Sequence, residues 1–285
     1  MSSETAVIGT NDDATTCKYS CVQKGYWTDP YVLFFCKETI KRPPLINRGY
    51  YSRVAVINAL MREFLKSNGE HKQLVILGAG FDTTYFQLKK ANAIEPEDES
   101  AGYKRFDIYE VDLPEVVHKK RMIINKQAEL KNLISTEWDT QVRSDANGLH
   151  SPNYHLMSVD LHSVQKLNDT LVQAGINKSL PTMFISECVL VYLKPEYSDE
   201  IVRWSAREFP TSGFATYEQI RPNDPFGMVM MDNLEKRGCP LLGARAYPTL
   251  DSQMKRYVSL GWKSCEALDM LDIYNRILDS KEVQR

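Results

Sequence analysis

Apolar positions along this chain change their period several times, and the changes divide it into elements. Short, mostly apolar runs bounded by turn residues predict strands over 73–77, 107–112, 155–160, 182–186 and 213–217. Between them apolar residues recur at helical spacing, predicting helices over 83–90, 113–131, 163–174, 196–208 and 227–236. This β–α rhythm predicts a doubly wound α/β fold with a mostly parallel sheet, right-handed crossovers and helices on both faces.

The flanks read differently. Residues 1–13 are polar and are expected to be disordered. A short amphipathic helix is predicted over 16–24, an aromatic turn over 26–31 and a stiff linker at Lys41-Arg42-Pro43-Pro44. Asn47 is expected to cap a long helix over 48–66, which Gly69 follows in the left-handed position. Residues 14–68 thus read as a helical N-terminal unit, and 70–285 as the α/β core of one domain. Late in the chain, 249–259 and 270–278 read as helices and 262–268 as a strand, while the polar stretch 135–153 reads as an inserted loop.

Composition narrows the function classes. Apolar residues are 43% and charged residues 25%, enough for a sizeable core. A net charge of −2 does not mark a nucleic-acid or anionic-membrane binder. No apolar run approaches the ~18–20 residues of a membrane span, and Met1-Ser2-Ser3-Glu4 has no signal-peptide character. The six cysteines show neither a C-x-x-C pair nor zinc-finger spacing and are expected to be reduced thiols of a cytoplasmic protein.

The densest chemical signal is Gln73-Leu74-Val75-Ile76-Leu77-Gly78-Ala79-Gly80-Phe81-Asp82-Thr83-Thr84. Strand, tight turn and helix N-terminus follow one another, as in the first βα unit of a sheet that binds a nucleotide-like cofactor. The third glycine of the dinucleotide fingerprint would stand at position 83, which is Thr83. That glycine serves close packing beneath a pyrophosphate, so its absence argues against NAD. S-adenosyl-L-methionine carries no phosphate and needs no such arrangement. Acids then end three further predicted strands. Asp112 is placed for the ribose hydroxyls, Asp160 with Leu161 for the adenine amine and ring, and Glu187 closes the fourth strand. Each acid alone reads more often as a helix cap or a surface charge; three in register after a G-x-G turn favour a cofactor site.

At these residues the chain resembles the leucine carboxyl methyltransferase family. The resemblance is carried by Gly25-Tyr26-Trp27-Thr28-Asp29-Pro30-Tyr31, Ile46-Asn47-Arg48-Gly49-Tyr50-Tyr51-Ser52-Arg53, the glycine turn, Glu110-Val111-Asp112-Leu113-Pro114 and Ser186-Glu187-Cys188-Val189-Leu190-Val191-Tyr192. It implies a sheet of the S-adenosylmethionine-dependent methyltransferase type beneath an N-terminal helical lid. It implies that Lys18, Arg53, Gly78, Asp112, Asp160, Leu161 and Glu187 contact the cofactor, with Arg53 on its carboxylate and Tyr192 near the reaction centre. The implied substrate is the C-terminal leucine of the protein phosphatase 2A catalytic subunit, methylated by a monomeric enzyme that thereby regulates phosphatase assembly. Two departures stand out. Pro225 replaces an arginine expected in relatives, and a last sheet strand of the family would lie beyond Arg285, so the sheet is expected to lack it.

This chemistry needs no catalytic base. An α-carboxyl titrates near ~3.3–3.7, so the nucleophile is already ionised at neutral pH. The five histidines are accordingly read as ordinary polar residues. Competing readings are a carboxyl or O-methyltransferase acting on a small molecule or a modified tRNA base, and an inactive binding form.

Overall fold

A computed structural model describes residues 3–36, 40–67, 69, 71–94, 105–134, 142–144 and 147–278. The N-terminal unit comprises helices α1 (Ser3–Gln23), α2 (Val32–Phe35) and α3 (Pro44–Lys66). The core continues as β1 (His71–Leu77), α4 (Thr84–Ile94), β2 (Arg105–Asp112), α5 (Pro114–Lys126), α6 (Ala128–Ile134), β3 (Arg143–Ser144), β4 (Gly148–His150) and β5 (Tyr154–Ser158). It closes with α7 (Val164–Gln173), β6 (Thr182–Glu187), a 3-10 turn (Leu190–Tyr192), α8 (Pro195–Glu208), β7 (Ser212–Tyr217), α9 (Pro225–Lys236), α10 (Leu250–Ser259) and α11 (Met270–Arg276).

The strands form one sheet in the order β3-β4-β5-β2-β1-β6-β7. From β5 to β7 every pairing is parallel; β3 and β4 add an antiparallel edge. Alternation along the strands decides which helices cover which face. Leu74 and Ile76 of β1 join a core with Ile57, Met61, Tyr85 and Val117. Val75 and Leu77 join the opposite core with Leu167, Leu171, Ile201 and Trp204. Both faces are therefore covered, as the near-continuous apolar strands require. The chain leaves β1 toward β2 and later returns to its other side through β6. The carboxyl ends of these neighbours open a switch-point crevice, with Leu77 opposite Ser186.

Several sequence expectations change. Residues 1–13 were expected to be disordered, yet α1 begins at Ser3. Tertiary partners hold it: Ile8 is buried in the core, Asn11 receives the Phe81 N–H at 2.9 Å, and Asp13 receives Arg237 at 2.5 Å. Asn47 is not a cap. The helix starts earlier because Pro44 suits a first turn, and Asn47 is buried, accepting from Ser20 Oγ at 3.0 Å and donating to Arg42 O at 3.1 Å. The predicted 113–131 helix breaks at Gln127, whose backbone is extended. Residues 262–268 form no strand. Trp262 packs on Phe214 and donates to Val202 O at 3.1 Å, which draws the segment over α8 instead of along the sheet. The expected loop at 135–153 contributes β3 and β4; residues 135–141 and 145–146 lie outside the described residues.

Candidate functional site

Four loops meet at the carboxyl edge of β5, β2, β1 and β6, and α1 and α3 lie across them. The glycine turn after β1 sets the floor. Gly78 and Gly80 both take left-handed conformations, with φ of 59° and 54°. A Cβ at Gly78 would stand 2.4 Å from Val189, and one at Gly80 would stand 2.4 Å from Asn11 Oδ1. The turn is thus shaped for close approach from two sides.

Asp112 ties this turn to β2. Its carboxylate accepts the Gly80 N–H at 2.6 Å and the Leu113 N–H at 2.7 Å. Burial raises its pKa, and those two amides pull it back. A carboxylate has about four acceptor positions, so capacity remains for a diol. Beneath the turn, buried Lys120 donates to Asp82 O at 2.7 Å and pairs with buried Glu110, which also accepts from Tyr154 Oη at 2.9 Å.

The charged centre is built from three distant segments. Arg53 of α3 donates through Nε to Glu187 Oε2 at 2.5 Å. Lys18 of α1 lies 3.9 Å from Glu187 Oε1 and 4.0 Å from Asp82 Oδ2. The Arg53 guanidinium also sits over Tyr50 and Tyr217, 5.5 and 5.1 Å from their ring centres. Burial would raise the Glu187 carboxyl, but Lys18 and Arg53 outweigh it and hold the group at about 2. Burial acts to lower the Arg53 pKa, and the Glu187 charge more than reverses that.

The sequence-predicted residues divide accordingly. Lys18, Arg53 and Glu187 converge, while Gly78 and Asp112 lie in the adjoining turn. Asp160 and Leu161 follow β5, where Val159 N–H bonds Asp112 O at 2.9 Å. Asp160 is exposed and paired with His162 at 2.6 Å, which together with the His162 amide lowers its pKa despite the opposing effect of burial. Leu161 is buried. Tyr192 ends the 3-10 turn that follows β6. It packs against Val191, Leu241 and Ala244, Thr10 of α1 stands beside its hydroxyl, and burial pushes it up to about 12.

Sequence reasoning missed Asp29, Asp82 and Asn11. Asp29 receives the amides of Tyr31 and Val32, and its other oxygen receives the Thr83 hydroxyl at 2.7 Å. Thr83, at the missing third glycine, therefore fastens the aromatic turn to the glycine turn. Asp82 caps α4 through the Thr84 amide at 2.8 Å. Between α3 and this edge runs a narrow cleft lined by Lys18, Trp27, Ile57, Asp82, Thr83 and Glu187 among others. Asp29 and Asp82 lie in motifs that carry the family resemblance, a signal that could have found them. For Asn11 no signal existed.

A switch-point crevice with a glycine turn, a strand-end acid with acceptor capacity to spare, and paired cations around a largely buried carboxylate are the marks of an α/β protein that binds a nucleoside-like cofactor. The comparisons then fix the family. Residues 6–206 match the model of the leucine carboxyl methyltransferase family, and the chain belongs to that family. The "Leucine carboxyl methyltransferase 1 homolog" of Arabidopsis thaliana is 43% identical over 285 residues, covering 100% of this chain and 82% of the relative. "Leucine carboxyl methyltransferase 1" of Bos taurus is 36% identical over 273 residues, covering 95% and 79%. "tRNA wybutosine-synthesizing protein 4" of Homo sapiens is 33% identical, covering 98% of this chain but 40% of the relative.

S-adenosylmethionine is the methyl donor of this family. The residues present fit it. Asp112 keeps acceptor capacity beside the glycine turn, and the Lys18–Arg53–Glu187 cluster offers both signs of charge to an amino-acid moiety.

Proposed function

We propose that this protein transfers a methyl group from S-adenosylmethionine to the α-carboxylate of a C-terminal leucine, and that the physiological acceptor is the protein phosphatase 2A catalytic subunit. The observation that carries the reading is the convergence of Lys18 and Arg53 on Glu187 beside Gly78. Bound there, the cofactor would supply an electrophilic methyl on a positively charged sulfur. Arg53 and Lys18 would hold its carboxylate, Glu187 its ammonium group, and Asp112 its ribose hydroxyls. Asp160 and Leu161 would flank the adenine.

The protein's contribution is placement. The acceptor carboxylate is already ionised, so no side chain has to remove a proton. In-line orientation of nucleophile and electrophile can be worth effective molarities of ~10⁵–10⁸ M. A helix laid over the site, as α1 is through Thr10, Asn11 and Lys18, would keep water from the reacting groups. Entry and exit of ligands would then require α1 to move.

The test is methylation of two peptides that differ only at the end, one with a free C-terminal leucine and one with its amide. Labelled methyl is expected on the first alone. Equal labelling of both would overturn the carboxylate reading. A modified tRNA base and small carboxylic acids complete the acceptor panel, and label found on either in preference to the peptide would replace the leucine acceptor.

A further inference from the structure

Glu218 has no place in the site as described, yet it stands directly behind it. It follows β7, whose last residue Tyr217 lies opposite Glu187 of β6. Its carboxylate points into the turn that leaves β6. Oε1 accepts the Leu190 N–H at 3.0 Å, and Oε2 is buried without a hydrogen-bond partner. The amides of Val189, Leu190 and Val191 all favour the charged form of this carboxylate, as successive N–H groups of a tight turn do for an anion.

The turn itself is strained and functionally placed. Cys188 adopts a left-handed φ of 56°, uncommon for any residue but glycine or asparagine. The Cys188 N–H bonds Tyr217 O at 2.7 Å, and Gly243 N–H bonds Val191 O at 2.9 Å. Within six residues the turn presents Glu187 to Arg53, Val189 to the bare face of Gly78, and Tyr192 to Thr10 of α1. Any shift of this turn moves the cofactor-facing carboxylate, the floor of the glycine turn and the lid contact together. Glu218 is the side chain whose carboxylate faces the amides of this turn, beside the Tyr217 carbonyl that accepts the Cys188 N–H and the Gln219 amide at 3.5 Å from Cys188 Sγ.

We infer that Glu218 is a positioning residue for methyl transfer, anchoring from behind the turn that carries Glu187, Val189 and Tyr192. The inference rests on the methyltransferase reading above. Removal of the Glu218 charge should loosen that turn without emptying a core position. The hold also depends on pH. Burial pushes the Glu218 carboxyl up to about 7, against the turn amides and Arg256. The groups facing it are Cys188 and Tyr192 from the turn and Arg256 and Tyr257 from α10. Burial pushes Cys188 to about 11 and Tyr192 to about 12, and raises Tyr257 too, so these three keep their charge state near neutrality. Protonation of Glu218 as pH falls through about 7 should weaken the anchor.

The experiment compares the full chain with Glu218→Gln, which keeps shape and removes charge. Melting temperature, S-adenosylmethionine affinity by calorimetry and turnover on the leucine-terminated peptide are followed at several pH values on either side of neutrality. Glu218→Gln is expected to melt close to wild type while losing roughly tenfold in affinity, turnover or both, the scale of one charged hydrogen bond. The wild-type decline on acidification through neutrality should be smaller in that variant. Unchanged affinity and turnover with an unchanged pH profile would overturn the inference. Should Glu218→Gln fail to fold, Glu218→Asp withdraws the charge by one methylene. A folded aspartate variant with weakened binding or turnover supports the role, and one equal to wild type overturns it. Wild type that binds no S-adenosylmethionine overturns the underlying reading, and this inference with it.

Discussion

Arg53 Nε meets Glu187 Oε2 at 2.5 Å across a sequence separation of 134 residues, joining the N-terminal helical unit to the end of a central strand. The pair is largely buried, and its guanidinium sits over two tyrosine rings. Truncating Arg53 leaves Glu187 with Lys18 alone, at 3.9 Å. Arg53→Ala is expected to weaken S-adenosylmethionine binding by about tenfold or more. Arg53→Lys should recover little, because a compact ammonium on a flexible stem cannot reproduce the planar fork over the rings. Calorimetric titration decides both; wild-type affinity in the lysine variant would show that the ring contact is irrelevant.

The same pair sets an acid limit. Glu187 is held at about 2 in the fold against an ordinary value of 4.5, so the folded state binds fewer protons there than the unfolded state. Its contribution is fully present above pH 4.5 and is lost as pH falls toward 2. That contribution is on the order of 3 kcal/mol. Arg53→Met removes part of the hold, so the acid limb of the melting curve should begin at higher pH than in wild type. Superimposable acid limbs would remove the cations as its cause.

Gly78 is expected to tolerate no side chain. A Cβ there would stand 2.4 Å from Val189, at a φ of 59°. Left-handed strain costs roughly 1–2 kcal/mol, and overpacking adds roughly 1–3 kcal/mol. Gly78→Ala should lower the melting temperature by several degrees and weaken cofactor binding with it. Gly175, also left-handed but with open space around its Cβ position, gives the control: Gly175→Ala should show the backbone strain alone.

Lys120 supports the site from below through Asp82 O while neutralising Glu110. Lys120→Met would strand a fully buried carboxyl, a loss expected to cost about 3–5 kcal/mol. Adding Glu110→Leu removes the stranded group and should restore much of the melting temperature but not the hold on Asp82. Cofactor affinity in the double variant therefore reports the positional role separately from stability. Full recovery of affinity would assign Lys120 to stability alone.

How much of this was legible in the chain depends on range. The strands at 73–77, 107–112, 182–186 and 213–217 appear within two residues of their predicted starts, since each is a short apolar run that sheet burial on both faces demands. Asp112 and Glu187 could be placed at strand ends for the same reason. Lys18 and Arg53 could not: on a helix each reads as a solvated charge until its partner is known, and family resemblance supplied them. Tyr192 belongs to a specific motif, and the fold adds Thr10 of α1 beside its hydroxyl. Asn11, Asp82 O and Glu218 act through backbone contacts that leave no residue pattern behind.

The sequence alone determined the β–α rhythm, the bare glycine turn and the acids that end β2 and β6, because each follows from local period, local sterics or the limits of one strand. Only the tertiary structure decided that residues 3–13 are helical, that 262–268 leave the sheet and that β3 and β4 extend its edge. The tertiary structure alone also brought α1 and α3 onto the end of β6. Those outcomes are settled by contacts between distant segments, where a buried Ile8, an Asn11 on the Phe81 amide or an Arg53 on Glu187 outweighs the local preference of the residues around it.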